Sequence, residues 1–326
     1  MELEVLRQIV DSKSPARDRA DKKAKEDEEE AHFSNADLHG LPSQLWTKDS
    51  GELTLEDKQS CIPTFMICSL TSELVGKVMN DTHIENHERF LNLWNKNDRD
   101  GKGMLTVSNH THYLDDPMVI VPLFGSAYLD VPKSLYGNTT FFDNLRWIPA
   151  EKRNFFFHRN PRLRTIFRDF FGRGKVVPVL RGQGIEQEAF QRLTAKLKEG
   201  DWVHTFGEGM RSRTYGELEP FKPGVGYLVK KAPDTIVLPF GHDGMQKVSP
   251  FGCKAEVKDG NGKPTKKFLD TGKNIQIVVG EPMNLKDFAS KVPDNIEGYL
   301  QIAAEIHSEV KKCFDRARKL NDARNS

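Results

Sequence analysis

His110 and Asp115 stand five residues apart in Ser108–Pro117, S-N-H-T-H-Y-L-D-D-P, directly after the strand-like run Met104–Val107. Histidine is the side chain best suited to take a proton from an alcohol near neutral pH. A nearby carboxylate fixes its tautomer and steadies the imidazolium that forms. The pairing therefore asks for a hydroxyl substrate. Five residues of regular helix rotate by about 140°, so the two side chains meet only across a bend. Asp116-Pro117 reads as a helix start, with Asp116 as N-cap and Pro117 at the first helical position, which leaves Asp115 for the histidine. A plainer account makes both aspartates caps and both histidines turn residues. A third makes His110, His112, Asp115 and Asp116 metal ligands, because they superficially resemble the zinc motif H-x-H-x-D-H. That motif needs aspartate and histidine where Leu114 and Asp115 stand, and no later run of histidines completes it. No metal is expected.

Further along, Val203–Arg213 reads V-H-T-F-G-E-G-M-R-S-R: a strand, then Glu208 flanked by glycines, then Arg211 and Ser212. Glycines let backbone amides approach an anion, and arginine grips phosphate through its planar fork. Gly209, Arg211 and Ser212 with Glu208 form a candidate phosphate site. Arg181, at the end of the strand-like G-K-V-V-P-V-L-R-G, could serve the same anion. An ordinary strand and turn with exposed arginines is the plainer alternative.

The elements that must position these residues follow from periodicity. With 326 residues, 37% hydrophobic content and a net charge of +1, the chain can bury a sizeable core. Apolar, partly β-branched runs at 104–107, 176–180, 202–206, 236–240 and 275–279 alternate with helical segments such as 184–198 and 224–231. That order predicts an α/β fold with a mixed, mostly buried central sheet flanked by helices. Residues 295–323 have amphipathic helix spacing. Residues 254–273, rich in lysine, glycine and aspartate, read as a surface insertion. Four cysteines without C-x-x-C spacing indicate neither a disulfide framework nor a zinc knuckle.

The N-terminal region divides in two. Residues 1–45 form a charged, flexible extension with no cleavable signal. Residues 46–95 read as a membrane-associating helical segment built on Ile62–Met79. That stretch is nearly long enough to cross a bilayer but carries Pro63, Glu73 and Lys77. A helix lying in the interface is expected, with Phe65, Met66, Leu70 and Leu74 toward lipid; a core helix is the alternative. Residues 96–326 form the main domain. Within it, 146–175 carries nine lysines and arginines against two acids, interleaved with phenylalanines that include Phe155, Phe156 and Phe157. This mixture suits an anionic membrane surface. Nucleic acid is the rival, disfavoured by the balanced charge and the absence of a nucleic-acid motif.

Taken in order, the motifs resemble the glycerolipid acyltransferase superfamily: N-H-x-x-x-x-D at 109–115, the strand ending Arg181-Gly182, F-x-E-G-x-R-S at 206–212, and the strand with Val237-Leu238-Pro239. Longer strings extend the likeness to one branch of it, among them R-W-I-P-A at 146–150, G-D-W-V-H-T-F-G-E-G at 200–209 and L-P-F-G-H-D-G-M at 238–245. The likeness covers roughly residues 62–317. Gly207 departs from it, standing where proline is usual in F-P-E-G, and Arg211-Ser212 follows the general superfamily pattern. What the resemblance implies is a cofactor-free enzyme. His110 would deprotonate the hydroxyl of a lysophospholipid, Asp115 would orient His110, and Arg181, Glu208 and Arg211 would hold phosphate and glycerol. For this branch it implies CoA-independent exchange of acyl chains between phospholipid and lysophospholipid, cardiolipin included, on mitochondrial membranes facing the intermembrane space. Acyl-CoA as the donor and a non-catalytic lipid-binding scaffold stay open as alternatives.

Overall fold

The computed structural model describes residues 55–124, 140–152, 160–214, 217–253, 257–265 and 267–325. Helix α1, Leu55–Glu73, runs on into a π-helical turn, Leu74–Val78. Strand β1, Asp81–Glu85, and α2, His87–Trp94, follow. Then come β2, Met104–Ser108, a π-helical turn, Asp116–Ile120, and β3, Ile148–Glu151. Helix α3, Pro161–Arg173, precedes β4, Val176–Val179; α4, Glu188–Lys198, precedes β5, Trp202–Phe206; and α5, Pro223–Lys231, precedes β6, Ile236–Asp243. The chain closes with β7, Asn274–Val279, β8, Met283–Asn284, and the long α6, Ile296–Asn325.

The main sheet has the order β1-β7-β6-β2-β5, with β8 paired to the start of β6. Strand β6 runs parallel to β2 and antiparallel to β7, so the sheet is mixed. The parallel pair β3-β4 extends it, because Trp147 bridges to Val203 beside β5. Strands β2, β3, β4, β5 and β6 all point the same way. Their carboxyl ends gather at one edge, where open α/β sheets present ligand sites.

Alternation along the strands feeds two cores. On one face Leu105, Val107, Val203 and Val237 meet Leu193, Leu228, Ile302, Ile306 and Val310 of α4, α5 and α6. Gly241 permits this contact, since a Cβ there would lie 2.2 Å from the backbone nitrogen of Phe314. On the other face Met104, Trp202, Leu238, Phe240 and Ile277 meet Met118, Ile120, Phe142 and the inner side of α1.

Helix α1 departs from the reading of its lipid-facing row at one residue. Phe65 is buried, 5% exposed, with its ring edge-on to Phe142 at a centroid distance of 5.6 Å. Met66, Leu70 and Leu74 do face outward, joined by Ile67 and Val78. The helical period decides this. Positions 66, 67, 70, 74 and 78 fall on one side, and 61, 62, 65, 69, 72 and 76 on the other. Lys58–Val78 is long and apolar enough to cross a membrane by length and composition. Within the expected helical segment 46–95, Asp81–Glu85 is a strand of the sheet, paired with β7. Residues 1–45 and Phe155, Phe156 and Phe157 lie outside the described residues.

Candidate active site

Parallel pairing of β2 and β5 sets Ser108 opposite Phe206, so the residues that follow each strand emerge side by side. His110 follows β2. Its Nδ1 lies 2.9 Å from Asp115 Oδ2, and its ring stacks on Phe206 at a centroid distance of 3.9 Å. The same Asp115 oxygen accepts the backbone amides of Thr111 at 2.6 Å and His112 at 2.8 Å, and the Thr111 hydroxyl donates to Oδ1 at 3.3 Å. The turn is therefore wound around the carboxylate, which is fully buried. Burial alone would raise Asp115, but His242, His110 and His112 outweigh it and hold the acid at about 2. Burial lowers His110 below its ordinary value, against the opposing pull of Asp115. The result is a neutral imidazole beside an anionic carboxylate, with Nε2 left for a substrate proton.

Asp116 does not cap the helix. The Arg146 guanidinium takes both its oxygens, Nε donating to Oδ1 at 2.8 Å and Nη2 to Oδ2, while Nη1 donates to the Gly174 carbonyl at 3.0 Å. A charged fork satisfies a carboxylate better than one backbone amide does, and Asp115 has already taken the amides of the turn.

Glu208 follows β5 and is buried. Its Oε1 accepts the His110 amide at 2.7 Å and its Oε2 the Glu219 amide at 3.2 Å. Burial pushes this carboxyl up to about 8, although both amides pull it down. Ser212 completes the loop, its amide donating to the His110 carbonyl at 2.7 Å and its hydroxyl to the Thr214 carbonyl at 2.5 Å. His110 is thus gripped through both its backbone groups by the segment that follows β5. Arg181 is half exposed; it pairs with Glu151 and donates from Nη2 to the Gly209 carbonyl at 3.1 Å. Arg211 immediately precedes Ser212, whose amide bonds the His110 carbonyl, so its backbone lies beside the same turn. The candidate residues after β2, β4 and β5 therefore converge on one edge. Gly207 also finds its reason here: its amide donates to the Ser108 carbonyl at 3.2 Å, which proline could not do, and a Cβ would meet the Phe221 ring at 2.4 Å.

Residues 80–243 match the family model described as Acyltransferase. The chain belongs to the acyltransferase family. It is similar to "N-acylphosphatidylethanolamine synthase" of Arabidopsis thaliana, 32% identical over 219 residues, 67% of this chain and 68% of that protein. It is also similar to "Tafazzin" of Drosophila melanogaster, 31% identical over 218 residues, 67% of this chain but only 50% of the fly protein. The "Taffazin" of Dictyostelium discoideum is 26% identical over 243 residues, covering 68% and 79%. The longer strings quoted above are the ones that resemble tafazzin. Acyl transfer on lipids is the activity this membership supports.

The acyltransferase has one site residue that motif reading passed over. His242, on β6, is fully buried, with Nε2 3.0 Å from the Asn109 carbonyl oxygen and 3.6 Å from Asp115 Oδ2. The Asn109 side chain returns the contact, its Nδ2 donating to the His242 carbonyl at 3.0 Å and its Oδ1 accepting the His242 amide at 2.9 Å. Asp115 therefore lies between two imidazoles. The signal was the histidine in L-P-F-G-H-D-G-M, which gains meaning only once β6 is known to pair with β2. His112, by contrast, is turned into the chain, its Nδ1 accepting the Leu114 amide at 2.9 Å.

Proposed function

We propose that this acyltransferase is a membrane-associated transacylase that moves an acyl chain from a phospholipid to the free hydroxyl of a lysophospholipid, remodelling lipids such as cardiolipin. The observation that carries the reading is the 2.9 Å contact between His110 Nδ1 and a buried Asp115 carboxylate. His110 Nε2 takes the hydroxyl proton as the oxygen attacks the ester carbonyl of the donor. The tetrahedral intermediate collapses, and the imidazolium returns the proton to the departing lysolipid oxygen. Asp115 stabilises that imidazolium, and His242 and the amides of Thr111 and His112 keep Asp115 in place. Arg181 and Arg211 hold the phosphates. Glu208 steadies His110 through its backbone amide, and the acceptor sites left on its carboxyl take a glycerol hydroxyl. No cofactor enters these steps. The outward apolar row of α1 lies in the lipid interface, and a mitochondrial membrane facing the intermembrane space is the setting that the tafazzin likeness suggests.

A second reading rests on the plant relative, whose name describes acylation of an amine. The same base would serve a primary amine acceptor. Vesicles holding labelled lysocardiolipin or phosphatidylethanolamine as acceptor, with phospholipid or acyl-CoA as donor, separate the readings. Transfer from phospholipid to lysocardiolipin is expected; transfer only from acyl-CoA, or only to the amine, overturns the proposal. His110→Ala should remove transfer in every arm, by on the order of a thousandfold or more. The base works when neutral and its pKa is lowered. Activity should therefore stay level as pH falls to the ordinary histidine value, about 6.5, and decline only below it.

A further inference from the structure

Residues 247–273 play no part in the chemistry above, and they carry seven lysines against three acids. The stretch is fastened at both ends. Near its start Cys253 forms an antiparallel bridge with His112, inside the catalytic turn. At its end the Gly272 amide donates to the Met79 carbonyl at 2.8 Å, the Lys273 amide to Asn80 Oδ1 at 2.9 Å, and Asn80 Nδ2 to the Asp270 carbonyl at 3.3 Å. Met79 and Asn80 directly follow the π-helical turn that ends α1.

Between these anchors Val248 is buried in the core and Leu269 packs against it. Phe251 and Phe268 do the opposite. They are 57% and 67% exposed, with ring centroids 6.1 Å apart. Two backbone-directed bonds hold them as a pair, the Phe251 amide to the Lys267 carbonyl at 3.0 Å and the Ser249 hydroxyl to the Phe268 carbonyl at 2.6 Å. Lys258, Lys263 and Lys267 are exposed on the same lobe. Two adjacent exposed phenylalanine rings are unfavourable in water, whereas the boundary between headgroups and acyl chains takes up phenylalanine, and anionic lipid attracts the lysines around them.

We propose that this lobe is a second membrane contact, separate from α1, that carries Phe251 and Phe268 into the headgroup region of an anionic bilayer. Being fastened to both α1 and the His110 turn, it sets the position of the catalytic histidine relative to the lipid surface. Only that consequence rests on the transacylase reading; the membrane contact stands by itself.

The test uses the full chain, Phe251→Ser with Phe268→Ser, and Lys258→Glu with Lys263→Glu and Lys267→Glu. Each protein is sedimented with vesicles of phosphatidylcholine alone or mixed with phosphatidylglycerol, and its melting is followed to confirm folding. The lysine variant should lose affinity for the mixed vesicles by roughly fivefold per charge removed, and more per charge reversed. The phenylalanine variant should lose at least tenfold. Transfer between vesicle lipids should fall with binding, while transfer between short-chain lipids dispersed as monomers should stay within about twofold. Unchanged vesicle affinity in both variants overturns the proposal. So does a shift from dimer to monomer with vesicle affinity intact, which would assign the lobe to a second copy of the chain. Lobe-dependent binding by a protein that transfers no acyl chain would uphold the lobe and sink the transacylase.

Discussion

Helix α6 turns Tyr299, Ile302, Ala303, Ile306, Val310 and Phe314 onto the sheet and leaves Lys311, Lys312, Asp315 and Arg316 in water. Helix α1, on the opposite face, buries Cys61, Ile62 and Phe65 together with Thr64, Ser69 and Ser72, and it presents Met66, Ile67 and Leu70 outward, continued by Leu74 of the π-helical turn. Fully burying a large apolar side chain yields about 1.5–3 kcal/mol, so α6 has in water the driving force to dock. Helix α1 leaves most of that gain unused until an apolar phase meets its outer row. Its inner row mixes large apolar side chains with small ones such as Ser69 and Ser72. One helix hides its large apolar side chains, and the other leaves a row of them exposed.

Phe65 is the largest side chain that α1 buries, and it offers the strongest way to break the comparison. Its ring meets Phe142 and lies 6.0 Å below the Arg146 guanidinium, which in turn holds Asp116 beside Asp115. Phe65→Ala should destabilise the fold by about 3–5 kcal/mol in urea unfolding. It should also depress kcat, because Asp116 then loses a supported partner. A loss under about 1 kcal/mol would mean that α1 is not fastened through this ring. On the other face, Gly241→Ala should cost about 1–3 kcal/mol, since the new Cβ meets backbone of α6 rather than a side chain that can swing away. A thermal midpoint equal to that of the parent protein would show α6 to be free to slide.

The same contrast separates what is legible along the chain from what is not. His110 and Asp115 are five residues apart, so one turn decides whether they meet, and their residue types point to it. The runs at 202–206, 236–240 and 275–279 read as strands because they are short, mostly apolar and partly β-branched. Asp81–Glu85, D-T-H-I-E, and Ile148–Glu151, with Pro149 inside, carry no such pattern; the neighbours β7 and β4 make them strands. Asp116 reads as a helix cap for the same reason, its partner Arg146 being 30 residues away. His242 needs 133 residues to reach Asn109. Glu208 is given a ligand role by its place in the F-x-E-G-x-R-S motif, but its hold on the His110 and Glu219 amides shows only in the fold. Chemistry carried by neighbours in sequence is readable from the chain, whereas chemistry carried by neighbours in the sheet waits for the topology.

The smallest effect on stability is expected from the outer row of α1, and it sharpens the comparison most. Met66, Ile67, Leu70 and Leu74 replaced together by serine should leave urea unfolding within about 1 kcal/mol of the parent, because exposed positions away from caps and cores seldom exceed about 0.5 kcal/mol each and partly cancel. Solubility without detergent should rise. Binding to phosphatidylcholine vesicles should fall by at least tenfold, since several side chains each lose a share of their transfer energy. The counterpart on α6, Ile306→Ser, removes a fully buried side chain and should behave in reverse, weakening the fold while vesicle binding is kept. If the serine row unfolds the protein in water, α1 is an ordinary core helix and its polarity has another cause. If the protein stays folded but no longer meets lipid, the inverted polarity of α1 belongs to the substrate's phase and not to the sheet.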